Sequence, residues 1–153
     1  MSGDYIESIL SHKEQVARLL ADMVRALCMR AAQHDDSKFS DEEAAAYEEA
    51  LPKFKDVAYG SPEYIIVCQS IRPAIQHHVN VNRHHPEYFG EDGVSGMNLI
   101  DLVEMTCDWI AAAKRSGSDV VEALQVNRKR FGLSDQLYRI ILQTVLFLLD
   151  AED

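Results

Sequence analysis

Between Ile6 and Leu27 the apolar side chains Ile6, Ile9, Leu10, Val16, Leu19, Leu20, Met23, Val24 and Leu27 recur at three- and four-residue steps. That repeat belongs to one face of an α-helix. It returns further along, in Leu99, Ile100, Leu102, Val103, Met105, Ile110 and Ala113. No run of useful length alternates polar and apolar residues in the manner of a half-buried strand. The expected fold is therefore all-α, a helical bundle of five to seven helices forming one domain over residues 1–153. A chain of that length makes roughly one domain, able to bury about two thirds of its unfolded surface. Its apolar fraction of 47% and charged fraction of 26% are those of an ordinary globular protein.

Local stop and start signals divide the pattern. A first helix runs from about residue 4 to about residue 32. Ser40, followed three residues later by Glu43, spells a capping box that opens a second helix through Ala44, Ala45 and Ala46 as far as Pro52. Gly60-Ser61-Pro62 resets the chain, and a third helix from Pro62 reaches the 77–85 region, kinked or broken at Pro73 and ended by Pro86. Residues Gly90 to Gly96 have a loop composition. Asn98 caps a fourth helix through about Arg115; Gly117-Ser118-Asp119 and then Gly132 with Ser134 set off a fifth and a sixth.

Charge and composition exclude several roles. With 25 acids against 15 bases the net charge is −10, so the body repels a phosphate backbone and extended nucleic acid is not an expected partner. A phosphate-bearing ligand would need a local cationic feature. Cys28, Cys68 and Cys107 stand far apart with no Cys-x-x-Cys pair and read as buried thiols. The start, Met1-Ser2-Gly3-Asp4-Tyr5, lacks a basic region followed by an apolar stretch, and the most apolar run, Ile140 to Leu149, is far shorter than a bilayer span. No membrane partner is expected, and the cytoplasm is the default location. That last run is apolar around nearly its whole circumference, so it must be buried centrally or against another chain, and a homodimer is compatible with it.

The chemistry concentrates in histidine. Six histidines occupy four places: His12, His34, His77-His78 and His84-His85. His34-Asp35-Asp36-Ser37-Lys38 crowds polar groups just past the end of the first helix, and Asp108 sits beside Trp109 inside an otherwise apolar helix. A carboxylate there costs several kcal/mol unless it is paired or bound to a cation. Two imidazoles and two carboxylates would form a mixed nitrogen and oxygen site suited to Mn, Fe, Co, Ni or Zn. Glu104 and Asp108, four apart, share a helix face, where Glu104 either orients a ligand histidine or joins a plain ion pair. His78, Asn82 and His85 fall at steps of four and three, and His77 and His84 at a separation of seven, so each set shares a helical face. One of these sets could face a metal cavity.

The order His12, His34-Asp35 with Lys38, then a distant Asp108 resembles the H…HD…D signature of the HD-domain metal-dependent phosphohydrolase superfamily. His84-His85-Pro86-Glu87, followed by Gly90 and Asp92-Gly93, is similar to the His-His-Glu segment of its cyclic-dinucleotide phosphodiesterase branch, although no Gly-Tyr-Pro follows. Over nearly the whole chain, the run of His34 to Phe39, Asn82 to Tyr88 and Glu104 to Trp109 is similar to a family of phage and bacterial proteins classed only as a domain of unknown function. The resemblance implies an HD-like domain holding one or two divalent ions (Mn, Fe, Co, Ni, Zn or Mg). It implies His12, His34, Asp35 and Asp108 as ligands of the first ion, with Asp35 able to bridge to a second. His78, His84 and His85 are the candidates for that second ion. Asp36-Ser37 departs from the apolar residue and glycine that often precede the lysine.

The expected activity is phosphoester hydrolysis on a small phosphorylated substrate, a nucleotide among the candidates. A divalent ion would lower the pKa of a water and polarise the phosphoryl oxygen. Lys38 and Arg83 would neutralise charge developing on the phosphate. Glu87, Glu104 or Asp36 would pass the proton to the leaving oxygen. Two rivals stand beside it: a histidine-rich HD-type di-iron oxygenase, and a non-catalytic metal or nucleotide binder of phage type. Tyr88, Phe89 and Trp109 read as core residues or as a stacking surface for a base. Arg128-Lys129-Arg130 reads as a solvated helix end.

Overall fold

The computed structural model describes residues 3–55, 57 and 61–151. Gly60 of the expected reset, and Met1 and Ser2 of the start, lie outside them. The described residues are all-α, with no strand among them. None of their helices is long and apolar enough to cross a membrane. The chain divides into two compact units, Met1–His34 and Asp35–Asp153.

The first unit is one helix, α1 (Gly3–Gln33), as the three- and four-residue apolar repeat requires; none of its described residues is buried. His12 is exposed on it, and His34 follows its last turn.

The second unit begins with Asp35 and a 3₁₀ turn, Asp36–Phe39, and continues through α2 (Ala44–Phe54), α3 (Pro62–Ser70) and α4 (Arg72–Val81). The Ser61 hydroxyl accepts from the Tyr64 N–H at 3.1 Å, and Pro62 fills the first helical position, where its missing N–H costs nothing. Pro73 acts likewise for α4, so the expected kink is a break at Ile71 between two helices. Pro52 is tolerated inside the last turn of α2 rather than ending it. The expected capping box at Ser40 and Glu43 does not form: Glu43 makes no capping hydrogen bond and its side chain is fully buried.

A long 3₁₀ segment, Pro86–Gly96, leads into α5 (Leu99–Ser116), α6 (Val120–Phe131) and α7 (Asp135–Asp150). Gly90 and Gly93 hold φ of 59° and 49°, with ψ near −130°, a region essentially closed to residues with a Cβ, and let this segment double back. Asn98 and Asp101 cap α5 reciprocally, and Asp119 and Ser134 cap α6 and α7 through the N–H groups of Glu122 and Leu137. Met105 and Ile110 of α5, Leu124 of α6, Leu133, and Ile141 and Val145 of α7 form the buried core. Each contributes roughly 1.5–3 kcal/mol by leaving water. Trp109 stacks on Phe131 at 5.6 Å against this core.

Three further expectations need correction. Cys28 and Cys107 are exposed rather than buried thiols. Helix α4 stops at Val81, and Asn82 is extended, so the 77–85 stretch is not one helix and the pairing of His77 with His84 on a shared face does not hold. Helix α7 buries Ile141 and Val145 but leaves Ile140 and Phe147 exposed, so burial within this unit accounts for only one of its faces.

Candidate metal centre

Three short stretches meet here. Asp35 is the one non-glycine residue with positive φ among those described, 61°. Aspartate is among the residues that tolerate this region, yet holding it there still costs on the order of 1 kcal/mol or more. Asp35 Oδ1 is buried. His78 projects from the last turn of α4 and is buried. His84 and His85 follow the helix stop; Pro86 keeps His85 extended, at φ −94° and ψ 126°, and the His85 N–H closes a turn on the Asn82 carbonyl at 3.2 Å.

One donor atom each from Asp35, His78, His84 and His85 lies within 4.8 Å of every other, a group that could hold a metal ion. His78 Nε2 and His84 Nε2 stand 3.2 and 3.4 Å from the same oxygen, Asp35 Oδ1. The opposite ring nitrogens each meet a carboxylate: His78 Nδ1 is 3.0 Å from Glu43 Oε2, and His84 Nδ1 is 3.2 Å from Glu104 Oε1. Carboxylates at Nδ1 leave Nε2 as the ligand atom, a common support for metal-binding imidazoles. The second oxygen of Glu43 meets His77 Nδ1 at 2.8 Å.

The electrostatics suit a cation. Burial pushes the Asp35 carboxyl up, but the hydrogen bonds of His78, His84 and Lys38, with the Lys38 charge, outweigh it and hold the group well below the usual carboxylate range. Burial first, then the neighbouring rings of His84 and His78, push His85 down to about 3, with the charges of Asp108 and Asp35 opposing. His85 is therefore neutral at physiological pH. Its Nε2 is buried and has no hydrogen-bond partner among the described residues. An orphaned imidazole nitrogen costs roughly 1–3 kcal/mol, a cost removed when its lone pair meets a cation. The donor set therefore fits a divalent metal ion. Three imidazoles and one carboxylate favour Mn, Fe, Co, Ni or Zn over Mg.

The family of unknown function DUF5662 matches residues 1–147. The chain belongs to this family. No curated protein and no solved structure matches the chain.

Around the cluster of this DUF5662 chain the other singled-out residues fall as follows. Lys38 Nζ is 2.5 Å from Asp35 Oδ2 and lies over the Tyr47 ring, 5.5 Å from its centroid. Asp36 is exposed on the 3₁₀ turn. Glu104 serves His84 as above. Asp108 lies one turn further along α5, close enough for its charge to act on His85. Arg83 is held by Asp101 and packs over Tyr88 and Phe89, at 5.2 and 4.9 Å. Glu87 pairs through Oε1 with Arg130 at 3.1 Å. His12 and His34 belong to the first unit of this DUF5662 chain.

Sequence reasoning passed over Glu43 and Tyr47. Burial, followed by the charges of Glu43, Asp35 and Cys68, pushes the Tyr47 phenol up, so it stays protonated. No local signal marks Glu43, because the residue that uses it lies 35 positions away.

Proposed function

We propose that this chain is an HD-type, metal-dependent phosphohydrolase acting in the cytoplasm on a nucleotide or another small phosphoester. The observation that carries the reading is the convergence of Asp35, His78, His84 and His85 around the orphaned Nε2 of His85. When bound there, a divalent ion supplies a water of lowered pKa and polarises a phosphoryl oxygen.

The protein's own residues do the rest. Asp35 and the three imidazoles hold the cation, and Glu104 orients His84 through Nδ1. Lys38 brings an ammonium to the edge of the cluster, where it meets an incoming phosphate that the acidic surface would otherwise repel. The Tyr47 ring packs against this ammonium. Arg83 is held by the buried Asp101, whereas Lys38 pairs with the ligand carboxylate Asp35 itself; Lys38 therefore carries the charge-neutralising role, and the unpartnered Glu87 Oε2 or Asp36 is the proton carrier. A second ion, also implied by the HD resemblance, is tested by the number of ions per chain.

Purified protein should contain a first-row divalent metal by elemental analysis, and the His85→Ala variant should lose it. A panel of phosphomonoesters, nucleotides and phosphodiesters should show turnover that a chelator abolishes and added metal restores. Metal bound without turnover would leave a binder. The nitrogen-rich donor set favours one second reading, an iron oxygenase; iron and colour in anaerobically purified protein, with dioxygen uptake, would select it.

A further inference from the structure

Glu43 is fully buried and carries a charge-bearing group. Its two oxygens divide between neighbouring histidines, Oε1 to His77 Nδ1 at 2.8 Å and Oε2 to His78 Nδ1 at 3.0 Å. His78 Nδ1 has two further neighbours, Ser37 Oγ at 3.0 Å and Asn82 Nδ2 at 3.1 Å. The donors can be counted. The Asn82 amide has two N–H groups, and they reach Ser37 Oγ at 2.7 Å and the His78 carbonyl at 2.8 Å. Neither is left for the ring. A carboxylate only accepts, so the hydrogen bond to Glu43 requires the proton to sit on His78 Nδ1. With the Nδ1 proton fixed by Glu43, His78 Nε2 is the nitrogen that faces the ligand carboxylate, 3.2 Å from Asp35 Oδ1, and the one available to a cation.

We propose that Glu43 is the positioning residue of the centre. It holds His78 as the Nδ1–H tautomer and so commits Nε2 to the metal, while His77, on the half-exposed side, anchors the other Glu43 oxygen and fixes the carboxylate plane. The inference rests on the metal-binding reading above, but it concerns the apo protein as well as the loaded one. Glu43 touches neither metal nor substrate. Its effect passes through the ring of His78.

The test uses the full chain, freed of metal, with zinc alone as the probe. Two quantities are read: the His78 tautomer from long-range ¹⁵N–¹H correlations, and zinc affinity by chelator competition. Wild type should show His78 protonated at Nδ1. Glu43→Gln, whose amide can also donate to the ring, should give a mixed tautomer and bind zinc about 10–100-fold more weakly. His77→Gln should keep the Nδ1–H form and weaken zinc binding by a smaller factor. Zinc bound equally by wild type and Glu43→Gln, with the tautomer unchanged, would overturn the role of Glu43 and leave the metal reading standing. No zinc uptake by wild type would overturn the metal reading, and the apo tautomer would then decide the orienting role alone. Should Glu43→Gln fail to fold, His77→Gln decides: zinc affinity equal to wild type overturns the proposal.

Discussion

Arg83 meets Asp101 through two parallel hydrogen bonds, Nε to Oδ1 at 3.0 Å and Nη2 to Oδ2 at 2.8 Å. Asp101 is fully buried and also accepts from the Asn98 N–H at 3.1 Å. The pair thus fastens the residue before His84-His85 to the first turn of α5. Arg83→Ala strands a buried carboxylate and should destabilise the protein by about 3 kcal/mol in chemical denaturation. Arg83→Lys should recover less than half, because a single ammonium does not span both oxygens. A wild-type denaturation midpoint with a raised KM would instead assign Arg83 to the substrate.

Asp35 combines a left-handed backbone with a ligand oxygen, and two substitutions separate these roles. Asparagine also tolerates the left-handed region but forfeits the charge that Lys38 and the histidines favour, so Asp35→Asn should lower the metal-free thermal midpoint less than Asp35→Ala does while metal content falls at least about tenfold. Asp35→Ala should lose the metal and a further ~1–2 kcal/mol, the usual penalty for a Cβ residue in that conformation. Elemental analysis and calorimetry on the same samples read both.

Because His85 is held down to about 3 by burial, the unfolded chain binds a proton there before the folded one does. The neutral ring's contribution is fully present above the ordinary histidine value near 6.5 and is lost as pH falls from there toward 3. Chelator-treated protein should therefore lose about 1.4 kcal/mol per pH unit across that window from this group alone. Asp35 adds loss only below the ordinary carboxylate range, since its own value is depressed further still. Denaturation midpoints against pH should show the slope in wild type and a shallower one in His85→Gln.

Leu124 lies in the core of α5, α6 and α7. Leu124→Ala should cost about 2–5 kcal/mol while leaving metal stoichiometry unchanged in the folded fraction, which separates the integrity of the core from that of the centre.

What the sequence made legible was local. Ser61-Pro62, Asn98 with Asp101, Asp119 and Ser134 each bind backbone groups two or three residues away, so the spelling and the hydrogen bond coincide. Glu43 shows the opposite case. Ser40-x-x-Glu43 is spelled as a capping box, but a fully buried carboxylate gains more from two imidazoles than from one exposed N–H, and those imidazoles lie 34 and 35 residues on. Glu42, its neighbour of identical type, stays exposed, so residue type alone does not separate them. The histidine pairs drew notice by clustering, but helical spacing assumed that α4 continues, which misplaced His84. Arg83 reads as a phosphate ligand because no local signal points to its partner Asp101, 18 residues on.

Had α4 run on at 1.5 Å per residue, His85 would sit about 10 Å further along the axis than His78. Instead the two ring centres are 4.8 Å apart. The difference comes from the stop at Val81, where Asn82 turns extended, and from Pro86, which keeps His85 extended in turn. A residue with no backbone donor of its own thereby shares in setting the reach of two imidazoles, and a survey confined to ionisable side chains would miss it.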